Sequence, residues 1–206
     1  MTLSDNQPYK MSFATGGLFL NESVEVARIH VPTEEWDVTL HRALEEGVTS
    51  LPKAASRRRT LREIVNRIST LDEAELEFLV EDADRQDQQA MLWLATCRAY
   101  RFVREFATEV IHERFLSFQF DLPLDSFDVL FSAKAEWDEG LAGISPTTRA
   151  KLRQVLFRMM REANVISNDN RILSAYISPR LKSILAEKHP QDLVLLPGLT
   201  RDGGTS

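Results

Sequence analysis

Cysteine occurs once in these 206 residues, as Cys97, so no internal disulfide can staple the fold. With Trp93, Leu94 and Ala95 beside it and no histidine near in sequence, that thiol reads as buried core rather than as a nucleophile. Glycine and proline are sparse, at eight each, which excludes a low-complexity chain. Long hydrophobic runs are missing too: the apolar-like stretch from Ala90 to Cys97 falls well short of the ~20 residues that span a bilayer. No basic region followed by an apolar stretch opens the chain, so no signal peptide is read. The expectation is a cytoplasmic protein with no membrane partner. The histidines, His30, His41, His112 and His189, show neither the i, i+4 pair nor the paired-cysteine spacing of a zinc site. No G-x-G-x-x-G and no phosphate-cradling loop ending in Lys-Ser/Thr is present. Gly16-Gly17 reads only as a turn before the first helix. These absences lead to an expectation of no metal, no cofactor and no enzymatic activity, and acidic pairs such as Asp138-Glu139 read as solubilising.

What is present is a folded, helix-leaning composition, 43% hydrophobic and 27% charged, with a formal net charge of −6. The charge is unevenly spread. From Lys53 to Arg67 six bases face one acid, Glu63, and from Ser145 to Lys182 eight face two, leaving −17 on the rest of the chain. Phosphate responds to the local field of a face rather than to net charge, so these two blocks are the candidate sites.

Helix signals recur from end to end while strand-like alternation is nearly absent, which makes an all-α bundle the expected fold. A first helix is read from Asn21 or Ser23 to Ile29, a second from about Glu34 to Glu46 closed by Gly47, and a third from about Lys53 to Ile68. In the third, Leu61, Ile64, Val65 and Ile68 form an apolar stripe, with Arg59, Glu63, Asn66 and Arg67 opposite and Arg62 on the flank. Thr70-Leu71-Asp72-Glu73 has capping-box spacing and predicts a helix to about Glu81. Asp82, Asp84 and Asp87 open the next and read as dipole complements rather than metal ligands. Residues 88–118 are apolar nearly all round between Ala90 and Ala99, with a bend or break near Tyr100. Arg98, Arg101 and Arg104 read as partners in intramolecular ion pairs, beside Glu105 and Glu109. After Leu122-Pro123 a helix from about Asp125 to Trp137 turns Phe127, Leu130 and Phe131 inward.

Ser145-Pro146 is a strong start, an N-cap serine with proline in the first turn, for a helix to about Ala163 that buries Leu152, Val155, Leu156 and Met159. At 100° per residue Thr147, Lys151, Gln154, Arg158 and Arg161 share the opposite face as a basic, hydrogen-bonding ridge. Asn168-Asp169-Asn170 is set to close a small β-hairpin over 165–173, and Ser178-Pro179 begins a last helix to about Glu187. Helix, turn, basic helix and hairpin is the order of a winged helix-turn-helix and equally that of a bundle with a solvated basic face. Four regions follow: an N-terminal three-helix lobe with helix-turn-helix character (1–70), central helices (71–120), a winged-helix-like lobe (121–190) and a tail (191–206), packed as one unit.

Read this way, the candidate DNA-binding residues are Arg59, Arg62 and Arg67 on the N-terminal helix, Thr147, Lys151, Gln154, Arg158 and Arg161 on the ridge, and Arg171 on the wing. Most are suited to phosphate, and only Gln154 and Thr147 to base edges, which predicts weak sequence preference. Five or six phosphate contacts predict a log–log salt slope near −5.

The segment YKMSFATGGLFLNES from Tyr9 to Ser23 resembles the opening signature of the BrxA family, small proteins of the BREX bacteriophage-exclusion systems. Tyr100–Phe106, Phe131–Trp137 and Thr148–Ala163 resemble that family as well, so the likeness runs from about Tyr9 to Leu185. The resemblance implies an all-helical fold likened to the RNA-binding factor NusB, and a non-enzymatic part in phage defence with double-stranded DNA as partner. Other readings are an adaptor whose basic faces dock on other BREX proteins, and an RNA binder. The resemblance carries no individual contact residues.

Overall fold

The computed structural model describes residues 8–14, 16–47 and 54–199, with the side chains of residues 54 and 55 left aside. The fold is all-α. A 3-10 turn, Ser12–Ala14, precedes α1 (Leu20–Ile29), α2 (Trp36–Glu45), α3 (Ala54–Ile68), α4 (Glu73–Glu81) and α5 (Arg85–Ala99). A second stretch holds α6 (Arg101–Glu105), a π-helical turn at Phe106–His112 and α7 (Glu113–Leu116), followed by α8 (Asp125–Ala135) and α9 (Glu139–Ala142). The chain then forms α10 (Pro146–Glu162), α11 (Pro179–Lys188) and a 3-10 turn at Pro190–Leu195. No helix among the described residues is long and apolar enough to cross a membrane.

The core is built around α5, in which every residue from Ala90 to Cys97 is buried. That all-round burial explains the missing polar face: α1, α3, α4, α10 and the C-terminal 3-10 turn all pack on it. Cys97 lies inside this core, where burial pushes its thiol well above the usual range. The helix ends at Tyr100, whose backbone turns extended (φ −129°, ψ 106°) while its ring stays fully buried.

Caps set the helix starts. Ser145, Ser178 and Asp84 each accept a backbone amide three residues on, and proline follows the two serines in the first turn. The capping box of α4 sits two residues later than the sequence reading places it, with Asp72 accepting from the Glu75 amide and Glu75 reaching back to the Asp72 amide. Thr70 is already committed elsewhere: its hydroxyl donates to the Arg67 carbonyl at 2.7 Å and so serves the end of α3.

Two further expectations change. The hairpin at 165–173 is reduced to a single bridge, Ile166 to Ile172, closed through Asn170 in the left-handed region (φ 62°). Residues 120–122 lie along its other side, where Ile172 donates to Phe120, Leu122 donates to Asn170, and Asp121 bridges Arg171. The wing is therefore pinned to the body rather than projecting from it. The expected tail is core as far as Leu199: Leu193, Leu195, Leu196 and Leu199 are buried, and Trp93 donates its indole N–H to the Leu195 carbonyl at 2.9 Å. Asp192 joins them because Arg98 and Arg104 meet its carboxylate at 2.7 and 3.3 Å. Residues 200–206 lie outside the described part.

Candidate nucleic-acid interface

The ridge on α10 forms as its spacing dictates. With Leu152, Val155, Leu156, Phe157, Met159 and Met160 buried, the helix has one orientation, and Thr147, Lys151, Gln154 and Arg158 are left exposed on its outer face. Lys151 makes no ion pair among the described residues. Arg158 is 61% exposed and lies across Glu162 at 2.7 Å, a surface i, i+4 pair of small energetic weight. Arg161 is turned inward and half-buried, donating to the Asn170 side chain at 2.6 Å, so it anchors the hairpin turn more than it extends the ridge.

The remaining bases of the second block are largely neutralised by acids from outside it. Arg149 and Arg153 converge on Asp128 of α8, with the Arg149 guanidinium also stacked over Phe131 at 4.6 Å. Arg180 pairs with Asp82 at 2.9 Å. Arg171 is 53% exposed and holds Asp121 at 3.0 Å. A count along the sequence therefore overstates the field of this face, which rests chiefly on Lys151 and Arg158.

On α3, Arg59 and Arg62 are exposed and make no ion pair among the described residues, as does their neighbour Arg58. Lys53 lies outside the described part. Arg67 is a correction. Its side chain is 2% exposed, and its guanidinium donates to Glu63 at 2.8 Å and to the Gly17 carbonyl at 2.8 Å, buried where a phosphate does not reach it. Glu63, also expected outside, is buried with it and accepts the Tyr100 hydroxyl at 2.6 Å. Burial and then the Glu63 charge drive the Tyr100 hydroxyl far above its ordinary pKa. The i, i+4 spacing of Glu63 and Arg67 was the readable sign that each satisfies the other inside the fold.

The N-terminal turn is the element that sequence reasoning undervalued. Gly17 gives its carbonyl to Arg67, and the next amide, that of Leu18, donates to Glu162 at 2.5 Å. The C-terminal ends of the two cation-bearing helices, α3 and α10, thus meet at one turn. Gly16 adopts a positive φ of 72° there, and a Cβ on Gly17 would fall 2.3 Å from the Glu162 carboxylate. Lys10 ties the same segment to α3 through Asn66 at 2.8 Å.

One cluster, Asp72, Glu75 and His189, brings metal-competent atoms within 4.8 Å of one another. Its donors are engaged: both Glu75 oxygens hold Arg98, and Asp72 caps α4 while meeting Lys188 and His189. The arrangement does structural work at the junction of α4 and α11.

A model of the BrxA family matches residues 7–189. Two similar proteins each carry the name BREX protein BrxA. The one from Escherichia coli O9:H4 (strain HS) is 25% identical over 130 residues, 62% of this chain and 61% of that protein, so the match spans about three fifths of the relative's length. The one from Bacillus cereus (strain H3081.97) is 23% identical over 166 residues, covering 79% of this chain and 80% of its own. In fold, the chain resembles the crystal structure of an uncharacterized protein from Magnetospirillum magneticum with a TM-score of 0.75 and 24% identity, across 92% of this chain and 98% of the other. The family match takes in the N-terminal turn and both helices that converge on it, and the chain belongs to the BrxA family.

Proposed function

We propose that this protein is a component of a BREX phage-defence system that binds double-stranded DNA and catalyses no reaction itself. The relatives' names supply the system, and the observation that carries the DNA reading is the outer face of α10, where Lys151 and Arg158 flank the neutral Gln154 in helical register. Two cations around a hydrogen-bonding side chain suit a backbone-following contact with little base readout. The short helix α9, the basic helix α10 and the pinned hairpin keep the order of a winged helix-turn-helix, with α10 as the element that meets the groove. Arg59 and Arg62 on α3 add a second strip of unpaired positive charge.

With Arg67 interior, Arg161 engaged and Arg171 paired with Asp121, Arg59, Arg62, Lys151 and Arg158 remain, and four phosphate contacts lower the expected log–log salt slope to about −4. The test is fluorescence anisotropy of nuclease-treated protein with a duplex and with RNA of matched sequence at two salt concentrations. Salt-sensitive preference for the duplex, lost in a folded Lys151→Glu/Arg158→Glu variant, is the expected result. Undiminished binding by that variant would refute the ridge, preference for RNA would refute the choice of nucleic acid, and partners that survive nuclease treatment without any duplex affinity would make the protein an adaptor.

A further inference from the structure

A groove of about 530 Å³ opens between the end of α1, the start of α2 and α4. Its floor is apolar, with Trp36, Leu76 and Val80 each only half-buried although they pack against the core. Its rim is a row of carboxylates, Glu73, Glu77 and Glu81, one helical turn apart along α4 and spanning about 12 Å. All three are exposed, and none makes an ion pair among the described residues. The acids around them are spoken for: Asp72 meets Lys188, Asp82 meets Arg180, and Glu75 is buried against Arg98. The row is thus a line of three exposed carboxylates without an ion pair among the described residues, set along the edge of an apolar floor.

The opposite wall supplies a single cation, Arg28. His30 adds no charge near neutral pH, because burial lowers its pKa more than Glu34 restores it. Its ring stacks flat on Trp36, with centroids 3.7 Å apart and planes 4° apart, which holds the indole as a fixed part of the floor. Three carboxylates against one guanidinium repel a phosphate backbone, so the groove is no continuation of a nucleic-acid surface. Nor is there a sheet among the described residues to whose edge an extended peptide could add. An apolar floor between helices with a carboxylate rail at four-residue spacing is the complement of a helix with an apolar stripe flanked by cations.

We propose that this groove docks a basic amphipathic helix of a partner protein, its apolar stripe on Trp36, Leu76 and Val80 and its lysines or arginines, one turn apart, against Glu73, Glu77 and Glu81. The site lies apart from the cationic ridge and does not rest on the DNA reading, so either one stands if the other fails.

The probe is a fluorescein-labelled peptide of leucine and lysine in helical periodicity, about five turns long, titrated against the full chain by anisotropy. The control peptide has the same composition in an order that destroys the stripe. The expected result is salt-sensitive binding of the periodic peptide, at least tenfold tighter than the control. At least tenfold loss is expected in a Glu73→Lys/Glu77→Lys/Glu81→Lys variant whose circular dichroism melt is unchanged, with no loss in Lys151→Glu. Equal affinity for the two peptides reduces the effect to bulk charge and overturns the proposal, as does undiminished binding by the reversed variant. Sedimentation showing a dimer that the reversal dissolves assigns the groove to a second copy of the chain and overturns it as well.

Discussion

The backbone amide of Leu18 donates to the Glu162 carboxylate at 2.5 Å, closing the N-terminal turn onto the last turn of α10 across 144 residues of sequence. A methyl group on Gly17 would lie 2.3 Å from that carboxylate, which must swing away and leave the buried Leu18 amide without its acceptor. Gly17→Ala is expected to destabilise the fold by about 1–3 kcal/mol, the cost of orphaning a buried donor. Urea unfolding measures it against Gly143→Ala, whose added carbon would meet nothing closer than 3.4 Å. Equal midpoints for the two variants would sink the argument.

Arg98 is the only cation reaching both Glu75 and Asp192 among the described residues, and those acids are 1% and 2% exposed. Burial opposes its charge while the two carboxylates support it, leaving its pKa raised further. Arg98→Met keeps the apolar stem and removes the charge, so two buried carboxylates lose their main partner. The expected loss is about 3–5 kcal/mol, readable as a fall in the denaturation midpoint. A loss within about 0.5 kcal/mol, the range of ordinary surface substitutions, would show the triad to be energetically idle.

Glu34 is held at a pKa of about 2 by the Arg42 guanidinium at 2.5 Å and by the hydroxyl of Thr39, against the opposing effect of burial. Its folded value lies below its unfolded one, so the stabilisation is fully present above about pH 4.5 and drains away as pH falls toward 2. Thermal melts of wild type and Glu34→Gln should differ at neutral pH and converge in that window. A gap that stays constant through it would show that the carboxylate charge is not the source.

Neighbouring cations on α10 should divide into two kinds. Lys151→Ala is expected to leave the melting temperature unchanged and to flatten the duplex salt slope by about 0.9. Arg149→Ala/Arg153→Ala strips both partners from Asp128 and should lower stability while leaving the slope alone. A reversed pattern in melts and titrations would mean that the internal pairs open to meet DNA.

Much of the fold was legible because caps and periodicity are local. Ser145-Pro146 and Ser178-Pro179 start their helices where their chemistry demands, and the break at Tyr100 falls where the all-round apolar run ends. The site was less legible because exposure depends on what crosses over a face. Arg67 lies beside a regular apolar stripe, yet a turn 50 residues earlier covers it, and no periodicity reports that. Arg149 and Arg153 lie in a basic block, yet one aspartate more than 20 residues back takes both. The C-terminal segment was misjudged for a related reason: its leucines are too few for a helix pattern and are buried by contact with α5, the π-helical turn and α11, all distant or irregular in sequence.

The bond from the Trp93 indole to the Leu195 carbonyl carries a consequence for biogenesis. The two residues are 102 positions apart, so a nascent chain that has exposed α5 still lacks the acceptor for this fully buried donor, and the leucines that seal it have yet to emerge. Packing around α5 is then completed only after residue 195 emerges, which leaves its apolar surface in the care of the ribosome or a chaperone until that point. With Trp36 and Trp137 replaced by phenylalanine, chains stalled with residue 195 still inside and already outside the exit tunnel should differ in Trp93 emission, red-shifted in the first and blue-shifted in the second.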